Sequence, residues 1–103
     1  MEKNIPLTEA NFYILLAVRK PSHGYGIIQE VSEMTNNRVV LGAGTLYGAL
    51  QNLEKKKMIE IYSADEGSRK KKEYIITELG KQAFFSETER LTELLNNAKK
   101  MEE

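Results

Sequence analysis

A mainly α-helical fold with one small β-hairpin is the fold class that this sequence predicts. Apolar residues recur at helical spacing before residue 58, alternate with polar residues over 59–77, and return to helical spacing after 78. The chain has 103 residues, which suits one domain with a modest core. We divide this compact domain into residues 1–77, with three helices and the hairpin, and residues 78–103, a single C-terminal helix.

The composition is that of a soluble globular protein, 41% hydrophobic and 29% charged. It contains no cysteine, which excludes disulfides and thiolate metal sites and fits a reducing compartment. No apolar run approaches the length of a membrane span, and the N-terminus has no apolar signal region. We therefore expect a cytoplasmic protein.

The first helix is predicted to begin after Thr8, a residue type that caps helix N-termini. Residues 12–18 are apolar around most of the helix surface, so this helix should lie in the core or at an interface. Lys20-Pro21-Ser22 ends it, and residues 23–26 are predicted to form a turn.

The second helix follows this turn and carries Ile27, Ile28, Val31 and Met34 on one face. Asn36 and Asn37 end it, because asparagine tolerates turn geometry. The short segment 38–41 is rich in β-prone residues. Two tyrosines, Tyr25 near the start of this helix and Tyr74 further along, are expected to lie in the core.

The third helix, within residues 42–59, has one apolar stripe. Leu46, Ala49, Leu50 and Leu53 recur at i, i+3, i+4 and i+7. Small, amide-bearing, aromatic and cationic residues occupy the opposite face: Thr45, Tyr47, Gly48, Gln51, Asn52 and Lys55. Such a face suits insertion into a DNA major groove, where amides and hydroxyls read base edges and lysine binds phosphate. The alternative is an ordinary surface helix with a polar outer face.

Two strands follow the third helix. Ile59 and Ile61 begin one, residues 65–68 have loop chemistry, and residues 73–77 alternate as the second. The order helix, helix, helix, hairpin is that of a winged helix-turn-helix. Four consecutive cations, Arg69 to Lys72, lie on the hairpin and are predicted to contact phosphate. Alternatively, they form a solvated edge that prevents strand pairing.

The net charge is zero, but the charges are unevenly distributed. Residues 38–72 hold eight basic against four acidic side chains, whereas residues 73–103 are acidic overall. A local positive patch attracts phosphate within a screening length even when the whole molecule is neutral.

The C-terminal helix is predicted to run from Thr77, its N-cap, to about Lys100. Its apolar residues follow a heptad spacing of four and three, and little of its own domain remains to cover them. We therefore predict a homodimer through this helix, with help from the first. The predicted interface residues are Phe12, Leu15, Leu16, Phe84, Thr88, Leu91, Leu94, Leu95 and Ala98.

An enzymatic function finds little support in the sequence. His23 is the single histidine, its neighbour Ser22 points elsewhere, and no nucleophile-elbow motif exists. One histidine without cysteine makes a zinc site improbable, and no cofactor motif is present. We interpret His23 as a turn residue.

Several motifs together resemble the PadR family of bacterial transcriptional regulators. They are Leu15-Leu16-Ala17 with His23-Gly24-Tyr25-Gly26-Ile27, Gly44-Thr45-Leu46-Tyr47 with Ala49-Leu50 and Leu53-Glu54, and Lys71-Lys72 with Tyr74, Ile76, Thr77 and Gly80. The match runs from about Leu7 to Phe84, and the short C-terminal helix is similar to that of the smaller family members. The chain departs from the family at Gly42-Ala43, where Ser-Pro is common, and it has no tryptophan to line a drug pocket.

The resemblance implies a homodimeric winged-helix repressor that binds inverted repeats in double-stranded DNA, and it suggests a small aromatic effector as a further partner. The residues predicted to bind DNA are Thr45, Tyr47, Gln51, Lys55, Arg69, Lys70, Lys71 and Lys72. Two other hypotheses remain open. One is a protein–protein interaction module without DNA binding. The other is a ligand-sensing dimer with a pocket between the first and last helices and DNA binding as its output.

Overall fold

A computed structural model of the chain describes residues 6–63 and 72–103, and its fold is the predicted one, mainly α with a small β-sheet. The described elements are α1 (Glu9–Ala17), β1 (Ser22–His23), α2 (Gly24–Met34), α3 (Ala43–Lys55), β2 (Ile59–Ser63), β3 (Glu73–Ile76), α4 (Glu78–Ala98) and a terminal 3₁₀ helix (Lys99–Glu102). None of the helices within these ranges is long and apolar enough to cross a bilayer.

Side chains cap three of the helices. The Thr8 hydroxyl accepts from the Asn11 N–H at 3.0 Å, and the Thr77 hydroxyl accepts from the Gly80 N–H at 3.0 Å, so both predicted caps are confirmed. At α2, the Nδ1 atom of His23 accepts from the Gly26 N–H at 3.2 Å. Residues 23–26 open the second helix as predicted, but residues 24–26 already belong to it, because this cap lets α2 begin at Gly24.

The connection between α2 and α3 begins with two asparagines in the left-handed region, Asn36 at φ 57° and Asn37 at φ 65°. This confirms their predicted role in ending α2. The β-prone segment 38–41 forms bends rather than a strand. Its Leu41 is buried in the core, which fixes the entry of the chain into α3.

The sheet is antiparallel with the strand order β1-β3-β2. Ile59 pairs with Ile76 and Ile61 with Tyr74, and an irregularity follows before Ser63. Strand β1, which the sequence pattern did not indicate, pairs Ser22 with Tyr74 on the other edge of β3. The predicted hairpin is thus extended by one short strand.

The core lies between the helices and the inner face of this sheet. Its buried hydrophobic residues are Ile14, Leu15, Ala17, Val18, Ile27, Val31, Leu41, Leu46, Leu50, Leu53, Ile59, Tyr74 and Ile76. Tyr74 is buried as expected, and burial raises its pKa. The expectation for Tyr25 is wrong: it is 64% exposed, because its place in α2 lies opposite the Ile27–Val31 face.

Helix α4 has a covered first half and an uncovered second half. Gly80 is buried so closely against β2 that a Cβ there would lie 2.2 Å from the Met58 carbonyl oxygen. Phe84 stacks on Phe12 of α1, with ring centroids 4.6 Å apart. In contrast, every residue from 91 to 103 is exposed. At 1.5 Å per residue the 21-residue helix is about 31 Å long.

Candidate nucleic-acid interface and helix α4

Helix α3 is anchored by its predicted apolar stripe. Leu46, Leu50 and Leu53 are buried, and Ala49 is half-buried against the core. The helix begins at Gly42, which has no side chain to cap it. The α3 orientation therefore depends on the leucine stripe, and the face opposite it is directed to solvent.

The outer face of α3 is the candidate nucleic-acid surface. Thr45, Tyr47, Gln51 and Lys55, all predicted to bind DNA, are exposed on this helix. Along it runs an open groove of about 640 Å³ whose described lining is Gly48, Gln51, Asn52, Glu54 and Lys55. The groove is lined by amides, one cation and one carboxylate, which together can donate to and accept from base edges.

Tyr47 is less free than its neighbours on this face. It is 49% exposed, and its ring lies over the start of α2. A Cβ at Gly24 would lie 2.2 Å from the Tyr47 hydroxyl oxygen and 2.7 Å from Cζ. Glycine at position 24 therefore lets the Tyr47 ring lie against α2 without displacement, a contact that sequence reasoning did not identify.

The ion pairs among residues 6–63 and 72–103 do not involve the lysines at the end of α3. Arg19 and Lys20 both bind Glu30, and Arg38 binds Glu9 at the start of α1. Burial opposes ionisation of Glu30, but the hydrogen bonds from Lys20 and Arg19 outweigh it and lower its pKa. The Arg38 hydrogen bond likewise lowers the pKa of Glu9.

The remaining cations of the described middle segment are exposed at the end of α3 and on the hairpin. They are Lys55, Lys56, Lys57 and Lys72, and no described acidic side chain pairs with them. Lys57 ends the turn after α3 with a left-handed φ of 65°. The other predicted phosphate ligands, Arg69, Lys70 and Lys71, lie outside the described residues. The described cations of this segment that form no described ion pair are therefore concentrated at the C-terminal end of α3 and at the start of β3.

The predicted dimer residues fall into three groups. Leu91, Leu94, Leu95 and Ala98 are exposed on the uncovered half of α4. Phe12, Leu16, Phe84 and Thr88 are half-buried at the junction of α1 and α4. Leu15, however, has no exposed surface and packs inside its own chain, so this structure corrects its assignment to an interface.

A buried ion pair lies where the covered half of α4 ends. Glu87 is only 4% exposed and accepts from the Arg90 Nε at 3.0 Å and from the Arg90 Nη2 at 2.6 Å. The Arg90 hydrogen bonds are the main reason that the pKa of Glu87 is lowered, and the Leu7 backbone adds to the effect. These groups border a cleft of about 290 Å³ between α1 and α4, which Phe12, Tyr13 and Leu91 also line.

Comparison with known proteins identifies the family. The sequence model of the transcriptional regulator PadR-like family matches residues 14–86, which include the end of α1, α2, α3, the sheet and the first part of α4. The chain belongs to the PadR-like family of transcriptional regulators. The resemblance inferred from its motifs is thereby confirmed.

Individual relatives of this PadR-like chain agree with that result. An uncharacterized protein of Lysinibacillus sphaericus is 47% identical over 73 residues, which are 70% of this chain and 66% of that protein, just under two thirds of its length. The solved structure of a transcriptional regulator from Clostridium thermocellum has a TM-score of 0.72 at 30% identity, covering 86% of this chain and 87% of that one. A PadR family regulator from Eggerthella lenta has the same fold, with a TM-score of 0.77 at 22% identity, covering 90% and 80%.

The two motifs that first indicated the PadR-like family meet in space. Gly24, in the His-Gly-Tyr-Gly motif, receives the ring of Tyr47, in the Gly-Thr-Leu-Tyr motif. His23 in the first motif caps α2, which accounts for the single histidine without any catalytic chemistry. The spacing of the motifs along the sequence thus reflects the packing of α2 against α3.

Proposed function

We propose that this chain is a homodimeric repressor that binds an inverted-repeat operator in double-stranded DNA through α3 and the β2–β3 hairpin. The observation that carries the proposal is the division of α3 into a buried leucine stripe and an exposed face of glycine, amide and lysine residues. A major groove about 12 Å wide admits a helix of this kind. The PadR-like family membership supports the same function.

The proposed contacts separate into two chemical classes. Thr45, Tyr47 and Gln51 lie on the N-terminal half of α3 and are assigned to base edges or adjacent phosphates. Lys55 lies one turn further along α3, and Lys72 precedes β3. These two lysines, together with Arg69, Lys70 and Lys71 of segment 64–72, are assigned to phosphate or the minor groove.

The proposed dimer is formed by the uncovered half of α4. Leu94 is 51% and Leu95 63% exposed, and both continue the face that Phe84 begins against α1. In a monomer this face would remain a contiguous apolar patch in water. A two-fold axis through α4 would present two copies of α3 to successive major grooves, about 34–36 Å apart, so the operator would be an inverted repeat.

A small aromatic effector is the third part of the proposal. The cleft between α1 and α4 has two aromatic side chains, Phe12 and Tyr13, and its volume of about 290 Å³ is at the lower end for a ligand site. Arg90 is already engaged by Glu87, so the cleft offers little free positive charge to an anionic compound. A neutral or weakly charged aromatic effector therefore fits it better.

The test is binding of the full chain to a labelled DNA fragment from upstream of its own coding region, measured by gel shift and fluorescence anisotropy. We expect a complex that survives excess unrelated DNA, and lower transcription from that promoter in a reporter assay. Aromatic compounds added to the complex then test for release.

A winged-helix protein–protein interaction module is the alternative, and the same measurement separates it from the proposal. Such a module would bind neither the upstream fragment nor unrelated DNA, even at low salt, where phosphate contacts are strongest. The free cations at the end of α3 favour the DNA-binding proposal over this one.

A further inference from the structure

The described glycines differ in whether the fold needs them. At Gly80 an added Cβ would lie 2.2 Å from a backbone carbonyl oxygen, so a side chain is excluded, and at Gly24 it would lie 2.2 Å from the Tyr47 hydroxyl and displace that ring. At Gly48, in the interior of α3, an added Cβ meets no atom within 4 Å, and the backbone has no positive φ. Glycine is disfavoured inside a helix relative to alanine, so the chain itself gains nothing from glycine at this position.

Asn52 presents a similar case one turn later. It is exposed on α3, and asparagine is a weaker helix former than the alanine, leucine or lysine that suit such a position. No residue of 6–63 or 72–103 forms a hydrogen bond with its side chain. The Asn52 amide therefore stabilises nothing in the described part of the fold.

Gly48 and Asn52 lie together on the helix. Residues four apart share a helix face, and side chains lean back towards the helix N-terminus, so the Asn52 amide lies over the turn that contains Gly48. Both residues line the open groove on the outer face of α3. Because Gly48 has no side chain, a planar group from a binding partner can approach the Asn52 side chain and contact both its amide oxygen and its amide nitrogen.

We propose that Gly48 and Asn52 together read one base of each operator half-site, and that this base is adenine. The asparagine amide can accept from adenine N6 and donate to adenine N7 at the same time. Asparagine is short, so this pairing requires α3 to lie deep in the major groove, and Gly48 removes the side chain that would hold it out. The inference rests on the proposed DNA-binding function and adds its specificity determinant.

The neighbouring acidic residue is consistent with this assignment. Glu54 lines the same groove and repels phosphate, and Lys55 next to it attracts phosphate. The phosphate backbone is therefore expected at Lys55, and the base edges at Asn52.

The experiment is selection of binding sites by the full chain from a library of random double-stranded DNA. It is followed by affinity measurements on the selected site for the wild type, Asn52→Ala, Gly48→Ala and Asn96→Ala. We expect Asn52→Ala to bind the selected site about 100-fold more weakly because the dimer loses one contact in each half-site, to lose its preference at one adenine position per half-site, and to bind random DNA as the wild type does. Asn96 is an exposed asparagine on α4, and its variant should match the wild type.

Gly48→Ala gives the second measurement, because its two effects should have opposite signs. The thermal midpoint should rise by about 2–6 °C, since alanine favours the helix. Affinity for the selected site should nevertheless fall about 10-fold. Failure of the wild type to bind any DNA would refute the proposed function. Binding with an unchanged sequence preference in Asn52→Ala, or unchanged affinity in Gly48→Ala, would overturn only this inference.

Discussion

Helices α3 and α4 both expose part of their surface, but the exposed groups differ in chemistry. The outer face of α3 carries amides, glycine and lysine beside a groove, whereas the outer half of α4 carries Leu91, Leu94 and Leu95. Helix α3 buries Leu46, Leu50 and Leu53 in the core, and α4 packs Phe84 against the same core. An exposed surface of polar, hydrogen-bonding groups suits a hydrated and charged partner such as DNA. An exposed and contiguous apolar surface suits a second protein surface.

The uneven distribution of ion pairs explains how a chain of zero net charge can bind DNA. The cations beside α3 form no ion pair with described residues, while Arg19, Lys20, Arg38 and Arg90 bind carboxylates. The positive field is therefore local to one end of the molecule. The C-terminal helix, which carries more acidic than basic residues, is not part of the proposed DNA-binding surface.

The largest effect is expected on α4, whose exposed leucines are assigned to the dimer interface. Leu91→Glu combined with Leu95→Glu should raise the dimer dissociation constant more than about 100-fold, because carboxylates at an apolar interface lose water without gaining partners. Sedimentation at micromolar concentration should give the 11.8 kDa mass of one chain instead of twice that value. Glu93→Gln, on the opposite side of α4, should remain dimeric. A wild type that sediments as a monomer would contradict the dimer proposal.

Gly24→Ala tests the contact that couples α2 to α3. The new methyl group would displace the Tyr47 ring, and because this ring is half-exposed the cost should lie at the lower end of the about 1–3 kcal/mol typical of overpacking. The free energy of unfolding in urea should fall by that amount, and affinity for DNA should fall with it because Tyr47 leaves its position on α3.

Two further variants make the Gly24 test specific. Gly44→Ala, where a Cβ meets nothing within 4 Å, should not be destabilised. Adding Tyr47→Ala to Gly24→Ala should recover part of the lost stability, since the collision disappears. Equal losses with and without the Tyr47 ring would mean that this contact does not limit the position of α3.

Glu87→Gln tests the ion pair with Arg90, which lies where the covered half of α4 ends. A neutral amide loses the charge-assisted bonds to Arg90, and we expect a loss of about 1–3 kcal/mol in the free energy of unfolding at pH 7. The pKa of Glu87 is lowered in the folded state, so its contribution is complete above the ordinary value of 4.5 and disappears as the pH falls below it.

The pH dependence of the thermal midpoint measures this contribution. The thermal midpoint of the wild type should decrease as the pH is lowered below 4.5. The difference in thermal midpoint between the wild type and Glu87→Gln should narrow over the same pH range. Glu9 and Glu30, whose pKa values are also lowered, should leave the variant with part of the acid sensitivity. A difference that stays constant down to low pH would show that the carboxylate charge is not the source of the stability.

Lys55→Ala should have the smallest effect, on the α3 side of the comparison. Loss of a phosphate ligand weakens binding to all sequences alike and lowers the slope of log affinity against log salt by about one unit per site. A dimer should therefore lose about two units. Far-UV circular dichroism should be unchanged, because Lys55 is exposed at the last turn of α3. An unchanged slope would remove Lys55 from the DNA contact.

Much of this molecule could be predicted from the sequence because it depends on short-range patterns. The leucine stripe of α3, the threonine caps at Thr8 and Thr77, and the asparagines that end α2 all follow from spacing or residue type within a few positions. The same local patterns carried the family resemblance, which the match over residues 14–86 confirms.

Other features depend on which distant residues come into contact, and only the tertiary structure decided them. Strand β1 exists because Ser22 meets Tyr74, and neither residue carries a local strand signal for the other. Leu15 and Leu91 are both apolar, but Leu15 of α1 is buried in the core, whereas Leu91 is exposed on the second half of α4, which extends beyond the core. The close contact at Gly24 likewise comes from Tyr47, 23 residues further along the chain. Periodicity determines which residues share a face, and long-range packing determines what covers that face.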